Sequence, residues 1–339
     1  MAKETLSLAV IGCGRIGRIH AENLATRVPG ARLVAVADIA EAAAEELAAR
    51  LHLRKARVDY QELLADPAID AVAICTATDT HSRIVREAAA AGKHIFCEKP
   101  IDYDLGRIRA ALAAVDQAGV KLQVGFNRRF DPSFAKVRDL VASGAVGQPH
   151  IIRITSRDPA PPPLAYIKVS GGIFLDMTIH DFDMVRFLSG SDADEIHVMA
   201  GALVDPAIRD AGDVDTAVIS LRLKNGALAT IDNSRKAIYG YDQRVEVFGS
   251  KGAVSAGNRT PDAHLLLDSE GAHEAKPLHF FLERYSEAYV LEMRAFVAAV
   301  LRDQSPPVSG SDGLHPVLMG LAATRSLREG RPVKLAEIE

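Results

Sequence analysis

In the first third of the chain, apolar residues fall in short unbroken runs: Leu6 to Ile11, Leu33 to Ala37, Ala71 to Cys75, His94 to Cys97 and Leu122 to Val124. Between them, Arg15 to about Arg27, Glu41 to Arg50, His81 to Ala91 and Leu105 to Ala118 read as helices. Strands apolar on both faces, alternating with helices, predict a doubly wound parallel sheet covered on both sides. The pattern changes after Phe126. A helix near Pro132 to Ala142 leads to a strand at His150 to Thr155, and the run DPAPPP (158–163) reads as a stiff loop. Alternating runs follow at Ile196 to Val204, Thr216 to Leu223, Ala227 to Ile231, Arg244 to Phe248 and His264 to Leu267, with Lys224-Asn225-Gly226 as a hairpin signal. These predict a large, mostly antiparallel sheet. Glu283 to Asp303 and Leu314 to Glu329 predict two closing helices. The expected division is an α/β domain over 1–125 and an α+β domain over 126–339. The last helix, about 311–329, is a candidate to pack back on the first domain.

One stretch departs from simple patterning. Ser170 to Leu188, SGGIFLDMTIHDFDMVRFL, reads as one helix apolar on most sides, and so buried. Yet Asp176 and His180 stand four apart, with Asp183 three further on, which lines ionisable groups along one face. Unpaired charge is too costly to bury, so this stripe faces partners, a cavity or a ligand. A satisfied Asp-His pair in a core is the plainer alternative, and Asp183 reads as support for the helix.

Composition narrows the class. The 339 residues carry a net charge of -4, which leaves no basic footprint for nucleic acid and no polybasic membrane patch. Three cysteines without CxxC spacing read as reduced thiols, and no apolar run is long enough for a membrane span. These features predict a cytoplasmic protein.

Gly12-Cys13-Gly14-Arg15-Ile16-Gly17 follows the first strand and opens a helix, the context a dinucleotide fingerprint requires. Gly12 permits the tight turn, Gly14 lets a pyrophosphate approach, and Gly17 lets the helix pack closely. Asp38, at the end of the second strand, suits the ribose hydroxyls, and no cation follows it, so NAD is expected over NADP. A turn role for Asp38 is the alternative. Thr76-Ala77-Thr78-Asp79-Thr80-His81 lies at the same carboxyl edge, where its hydroxyls suit the cofactor; Thr80 also reads as a cap for a helix beginning near His81. Glu98-Lys99-Pro100 closes the next strand. Lys99 suits a substrate hydroxyl and developing alkoxide charge, with a surface salt bridge as the alternative.

Together GCGRIG, Asp38, EKP and DMTIHDFDM resemble the Gfo/Idh/MocA family of NAD(P)-dependent oxidoreductases, and GFNRRFD and YGYD are similar to its inositol-oxidising members. The resemblance covers essentially the whole chain. It implies a catalytic set of Lys99, Asp176 and His180, with His180 as general base, Asp176 orienting it, and Lys99 bridging substrate and cofactor. It implies cofactor contacts from Gly12, Gly14, Arg15, Ile16, Gly17, Asp38, Thr76, Thr78, His81, Glu98 and Lys99. A cyclitol needs many hydrogen-bonding partners, and Asn127, Arg129, Asp158 and Tyr239 join Asp176 and His180 as substrate-side candidates. The implied reaction is NAD-dependent oxidation of myo-inositol to its 2-keto product, in a homotetramer built through the open sheet face. A scyllo-inositol or glucose-type dehydrogenase and a non-catalytic dinucleotide-binding regulator are the alternatives. A zinc site at Asp176 and His180 is disfavoured, since HExxH is absent, and no metal is expected.

Overall fold

The computed structural model describes residues 4–53 and 55–338. It contains two compact units: the chain up to Phe130 with Glu287–Leu314, and Asp131–Ser286 with the chain from His315 on.

The first unit is built on six strands: β1 (Leu6–Ile11), β2 (Ala31–Ala37), β3 (Ala56–Arg57), β4 (Ala71–Ile74), β5 (His94–Glu98) and β6 (Leu122–Gly125). Their order is β3-β2-β1-β4-β5-β6, and the strands run parallel. This is the doubly wound arrangement expected, and its order reverses between β1 and β4, where such sheets bind ligands. β3, only two residues long, carries no apolar pattern for a sequence reading to detect. The helix after β4 begins at Thr78, not near His81, so Thr80 is no cap. Its hydroxyl instead donates to the Ala77 carbonyl at 2.7 Å.

The domain boundary also differs from expectation. The helix Ser286–Leu301, assigned from sequence to the second domain, supplies core to the first unit. Val290, Met293, Phe296 and Val297 are buried in one cluster with Leu8, Val10, Leu24 and Phe96. Removing that apolar surface from water is what draws a distant segment into the unit.

The second unit holds β7 (Pro149–Arg157), β8 (Ala193–Gly201), β9 (Thr216–Leu223), β10 (Leu228–Ser234), β11 (Asp242–Gly249) and β12 (Gly252–Ala256). A separate hairpin of β13 (Leu265–Asp268) and β14 (Gly271–Glu274) follows, and β15 (Val333–Lys334) completes the main sheet. The sheet order is β12-β11-β7-β10-β9-β8-β15; β7 and β10 run parallel, and the other neighbours are antiparallel. Gly226, at φ +90, makes the predicted turn between β9 and β10. Along β9, Ala217, Ile219 and Leu221 are buried while Val218, Ser220 and Arg222 are exposed, the alternation of a half-covered sheet.

Ser170 to Leu188 is not one helix. It forms Gly172–Asp176 and Ile179–Ser189, interrupted at Met177 and Thr178. Both interrupting N–H groups donate to the Ile173 carbonyl, and the buried Thr178 hydroxyl donates to Asn233 Oδ1 at 2.7 Å, which pins the break to β10.

Candidate functional site

The fingerprint loop behaves as its glycines require. Gly12 sits at φ +99, and a Cβ there would lie 2.5 Å from the Cys75 carbonyl oxygen. A Cβ on Gly17 would fall 1.8 Å from the Gly12 carbonyl oxygen, so the helix Arg15–Thr26 approaches the loop as only glycine permits. Gly14 differs: a Cβ there would meet no heavy atom within 4 Å. It caps that helix without a side-chain hydrogen bond, so the helix N-terminus stays open to an anion. Arg15 is exposed beside it and Ile16 half-buried. The residues present therefore fit the pyrophosphate of a dinucleotide.

Asp38 follows β2 directly. Its Oδ2 accepts the Cys13 N–H at 2.6 Å and its Oδ1 accepts the Ala40 N–H at 2.8 Å, so one carboxylate joins the loop to the end of β2. The next side chain, Ile39, is 91 % exposed and carries no charge to attract a 2′-phosphate. Burial, reinforced by the Asp38 charge, pushes the Cys13 thiol up to about 12, so it serves as packing and not as a nucleophile.

At the carboxyl edge of β4, the Thr76 and Thr80 hydroxyls are 2.6 Å apart, and Thr78 opens the helix Thr78–Ala90. His81 is buried, with Nδ1 2.8 Å from the Pro100 carbonyl and Nε2 3.0 Å from the Thr76 carbonyl. Its ring therefore ties two edge segments together. Glu98 and Lys99 are half-buried at the end of β5, before a cis Lys99-Pro100 bond. Asn127 is buried in the short helix after β6, and Arg129 Nη2 lies 3.0 Å from Asp312 Oδ1.

In the second unit, the helix break sets Asp176 at the end of one helix and His180 at the start of the next. Both are half-buried. The Tyr166 hydroxyl donates to Asp176 Oδ1 at 2.8 Å, and both terminal nitrogens of Arg235 stand 3.3 Å from Oδ2. Arg235 is 1 % exposed and also lies 3.9 Å from Asp213, whose Oδ1 accepts the Ile173 N–H. The sequence reading missed Arg235 and Tyr166. Nothing local marks Arg235, which follows the polar Asp232-Asn233-Ser234 at the end of β10.

Asp183 is buried, and nearby Asp181 accepts from Asn233 at 2.9 Å. Asp158 is tied by its backbone, donating to Ser234 and accepting from Ala237. The Tyr239 hydroxyl donates to Asp242 at 2.6 Å and accepts from Arg157 at 3.2 Å, lining a hollow of about 360 Å³ with Asp232 and Lys236. Among the described residues, the group close enough to hold a metal ion is His20, Glu98 and Glu292; Asp176 and His180 are not part of it.

Residues 6–126 match the profile of the oxidoreductase family with an NAD-binding Rossmann fold, and 134–255 match the GFO/IDH/MocA C-terminal domain. The chain is 50 % identical to myo-inositol 2-dehydrogenase of Thermotoga maritima over 98 % of its length and 99 % of that protein. It is 48 % identical to inositol 2-dehydrogenase of Rhizobium meliloti over 98 % of its length and 100 % of that protein. The crystal structure of scyllo-inositol dehydrogenase from Lactobacillus casei with bound NAD(H) and scyllo-inositol is similar to 98 % of this chain. That match covers 99 % of the crystallised chain, with a TM-score of 0.92 and 30 % identity.

Proposed function

The chain belongs to the GFO/IDH/MocA family of NAD-binding oxidoreductases, and on that premise we propose that it is an inositol 2-dehydrogenase oxidising myo-inositol to the 2-keto product. Bound NAD⁺ supplies the hydride acceptor at nicotinamide C4. The remaining work falls to side chains. A secondary alcohol must lose its hydroxyl proton as its C–H hydride departs, and His180 takes that proton because imidazole titrates near neutrality. Asp176 orients the imidazole and stabilises it once charged. Lys99 binds the reacting hydroxyl and steadies alkoxide charge as it develops.

The observation that carries this reading is the grip on Asp176. A buried guanidinium and a tyrosine hydroxyl hold one carboxylate just before the histidine, the preorganisation that base catalysis needs. Asn127, Arg129, Asp158 and Tyr239 are assigned to the remaining hydroxyls of the ring. Cofactor contacts are assigned to Gly12, Gly14, Arg15, Ile16, Gly17, Asp38, Thr76, Thr78, His81, Glu98 and Lys99. The domain roles follow the two units: cofactor binding for the chain up to Phe130 with Glu287–Leu314, substrate binding and assembly for Asp131–Ser286 with the chain from His315 on. The similarity to the scyllo-inositol enzyme supports that isomer as the second reading. We assign the protein to the cytoplasm, which its free cysteines suit. We also assign it a homotetramer that covers the exposed Met199, Val218, Leu228 and Phe248 of the sheet.

The test is NADH formation from myo-inositol, scyllo-inositol and glucose side by side, for wild type and His180→Ala. Turnover strongest on myo-inositol, and reduced about 10²- to 10⁴-fold by the substitution while NAD⁺ still binds, is the expected result. Preference for scyllo-inositol replaces the substrate and keeps the base. Full activity in His180→Ala removes the mechanism.

A further inference from the structure

Behind Glu98, the first unit buries a line of titratable side chains to which the proposed reaction gives no task. Glu98 Oε1 lies 2.7 Å from Nε2 of His20, in the helix Arg15–Thr26. That same nitrogen lies 3.9 Å from Oε1 of Glu292, in the helix Ser286–Leu301. The side chains of His20 and Glu292 are 0 % exposed, while Glu98 reaches the sheet edge at 13 %. Phe96 and Tyr289 meet the imidazole edge-on, with centroids at 4.9 and 5.7 Å, so the ring is clamped in place. The other oxygen of Glu98 accepts the backbone N–H of Lys99 at 3.3 Å. Even the room for this carboxylate is tight, because a Cβ on Gly125 would stand 3.0 Å from its Cδ and Oε2.

Two acids and an imidazole inside a core are expensive to keep, and an apolar trio would pack there at lower cost. We propose that His20 and Glu292 are positioning residues for the dehydrogenase: acting through Glu98, they fix the backbone of Lys99 at the cofactor edge. The inference rests on the role given to Lys99 above. An imidazole N–H held on Oε1 stops the carboxylate from rotating, which keeps Oε2 against the Lys99 amide. Neither oxygen of Glu292 has a hydrogen-bond partner among the described residues, and its Oε1 backs the imidazole at 3.9 Å.

The titratable groups facing this line are Glu98 and Cys97 on β5, Cys75 just after β4, and Tyr289 and Glu292 on their helix. Burial pushes both thiols well above the usual range, so they bring no charge. Burial, and then the Glu98 charge, push the Glu292 carboxyl well up too, which suits a protonated acid behind an imidazole.

The experiment compares wild type, His20→Leu, His20→Gln, His20→Asn, Glu292→Gln and Lys99→Met as full chains. It reads kcat, KM for myo-inositol, calorimetric NAD⁺ affinity, the pH profile of kcat, and metal content. Leucine should lower kcat about 10- to 100-fold, the penalty of a misplaced group, and by a larger factor than it raises KM or weakens NAD⁺ affinity through the shifted Glu98 and Lys99. It should also displace the pH profile, as loss of packing alone would not. Glutamine, whose amide N–H reaches the place of Nε2, should restore most of the turnover and the wild-type profile. Where leucine prevents folding, asparagine, too short to reach Glu98, against glutamine carries the same comparison. Wild-type kcat and pH profile in a folded leucine variant, or equal losses in glutamine and leucine, would overturn the proposal. So would a stoichiometric divalent ion lost in Glu292→Gln, which would make the cluster a metal site. Loss of activity in Lys99→Met beside an unaffected leucine variant overturns this inference alone. Full activity in Lys99→Met overturns the reading of Lys99 and the inference with it.

Discussion

Arg235 and Asp176 are a pair whose two members differ in how readily each can be replaced. The arginine is almost wholly buried, and the carboxylate it faces is held on its other oxygen by Tyr166. Replacing Arg235 with methionine keeps the volume and leaves a half-buried carboxylate without its cation. Such losses cost about 3 to 5 kcal/mol, so Arg235→Met should lower the thermal midpoint markedly and reduce kcat, read by calorimetry and NADH formation. Arg235→Lys should recover part of both. At Asp38 the expected change is in selectivity. Removing the carboxylate and placing a cation next to it (Asp38→Ser with Ile39→Arg) should move preference from NAD⁺ toward NADP⁺, measured as the ratio of kcat/KM values. The place of Asp38 just after β2 was legible from spacing alone. Arg235 was not, since its acid partner lies far away in sequence and only the folded chain brings them together.

The strand-to-helix turn at Gly12–Gly17 separates two kinds of glycine. Gly17→Ala should disrupt folding and cofactor binding together, because the new methyl would collide with the Gly12 carbonyl at 1.8 Å. Gly14→Ala should fold as wild type, since its methyl meets no heavy atom within 4 Å, and should lose NAD⁺ affinity if the proposed pyrophosphate contact is made there. Thermal melts with and without NAD⁺ distinguish the two. Elements with a strong period were legible: β9 lies where its alternation predicts, and β1 where its apolar run does. The break at Met177 and Thr178 was hidden, because its cause is a hydrogen bond to Asn233 on a strand more than fifty residues later. Seen locally, that stretch has no proline and an unbroken apolar pattern, and it reads as one helix. The same limit hid the placement of Ser286–Leu301, whose apolar stripe says that it packs but not on what.

For the whole molecule, buried acids of opposite behaviour set the pH range of stability. Burial works to raise Asp215, yet backbone donors at Asp205, Leu203 and Val204 and the Thr216 hydroxyl outweigh it and hold the carboxyl below its ordinary 3.8. Asp102 behaves likewise: burial is outweighed by Arg107, Ser82 and the Asp104 N–H. A carboxyl depressed in the folded state stabilises it fully above the unfolded value, and that stability is lost as pH falls through the folded one. Glu292 is raised, so its contribution is present below the ordinary 4.5 and weakens as pH climbs toward its folded value. Thermal midpoints should therefore fall steeply below about pH 4 and decline gently on the alkaline side. Glu292→Gln should flatten the alkaline decline and leave the acid limb alone.

The placement of Glu287–Leu314 in the first unit also has a consequence in time. A ribosome delivers the six parallel strands first, yet Val290, Met293, Phe296 and Val297, which finish their core, emerge only after residues 131–286 have been made. The nascent sheet must wait with an apolar patch uncovered while that stretch is made. A stalled chain ending at Phe130 should bind chaperones and resist proteases poorly, and adding 287–314 as a separate peptide should protect it.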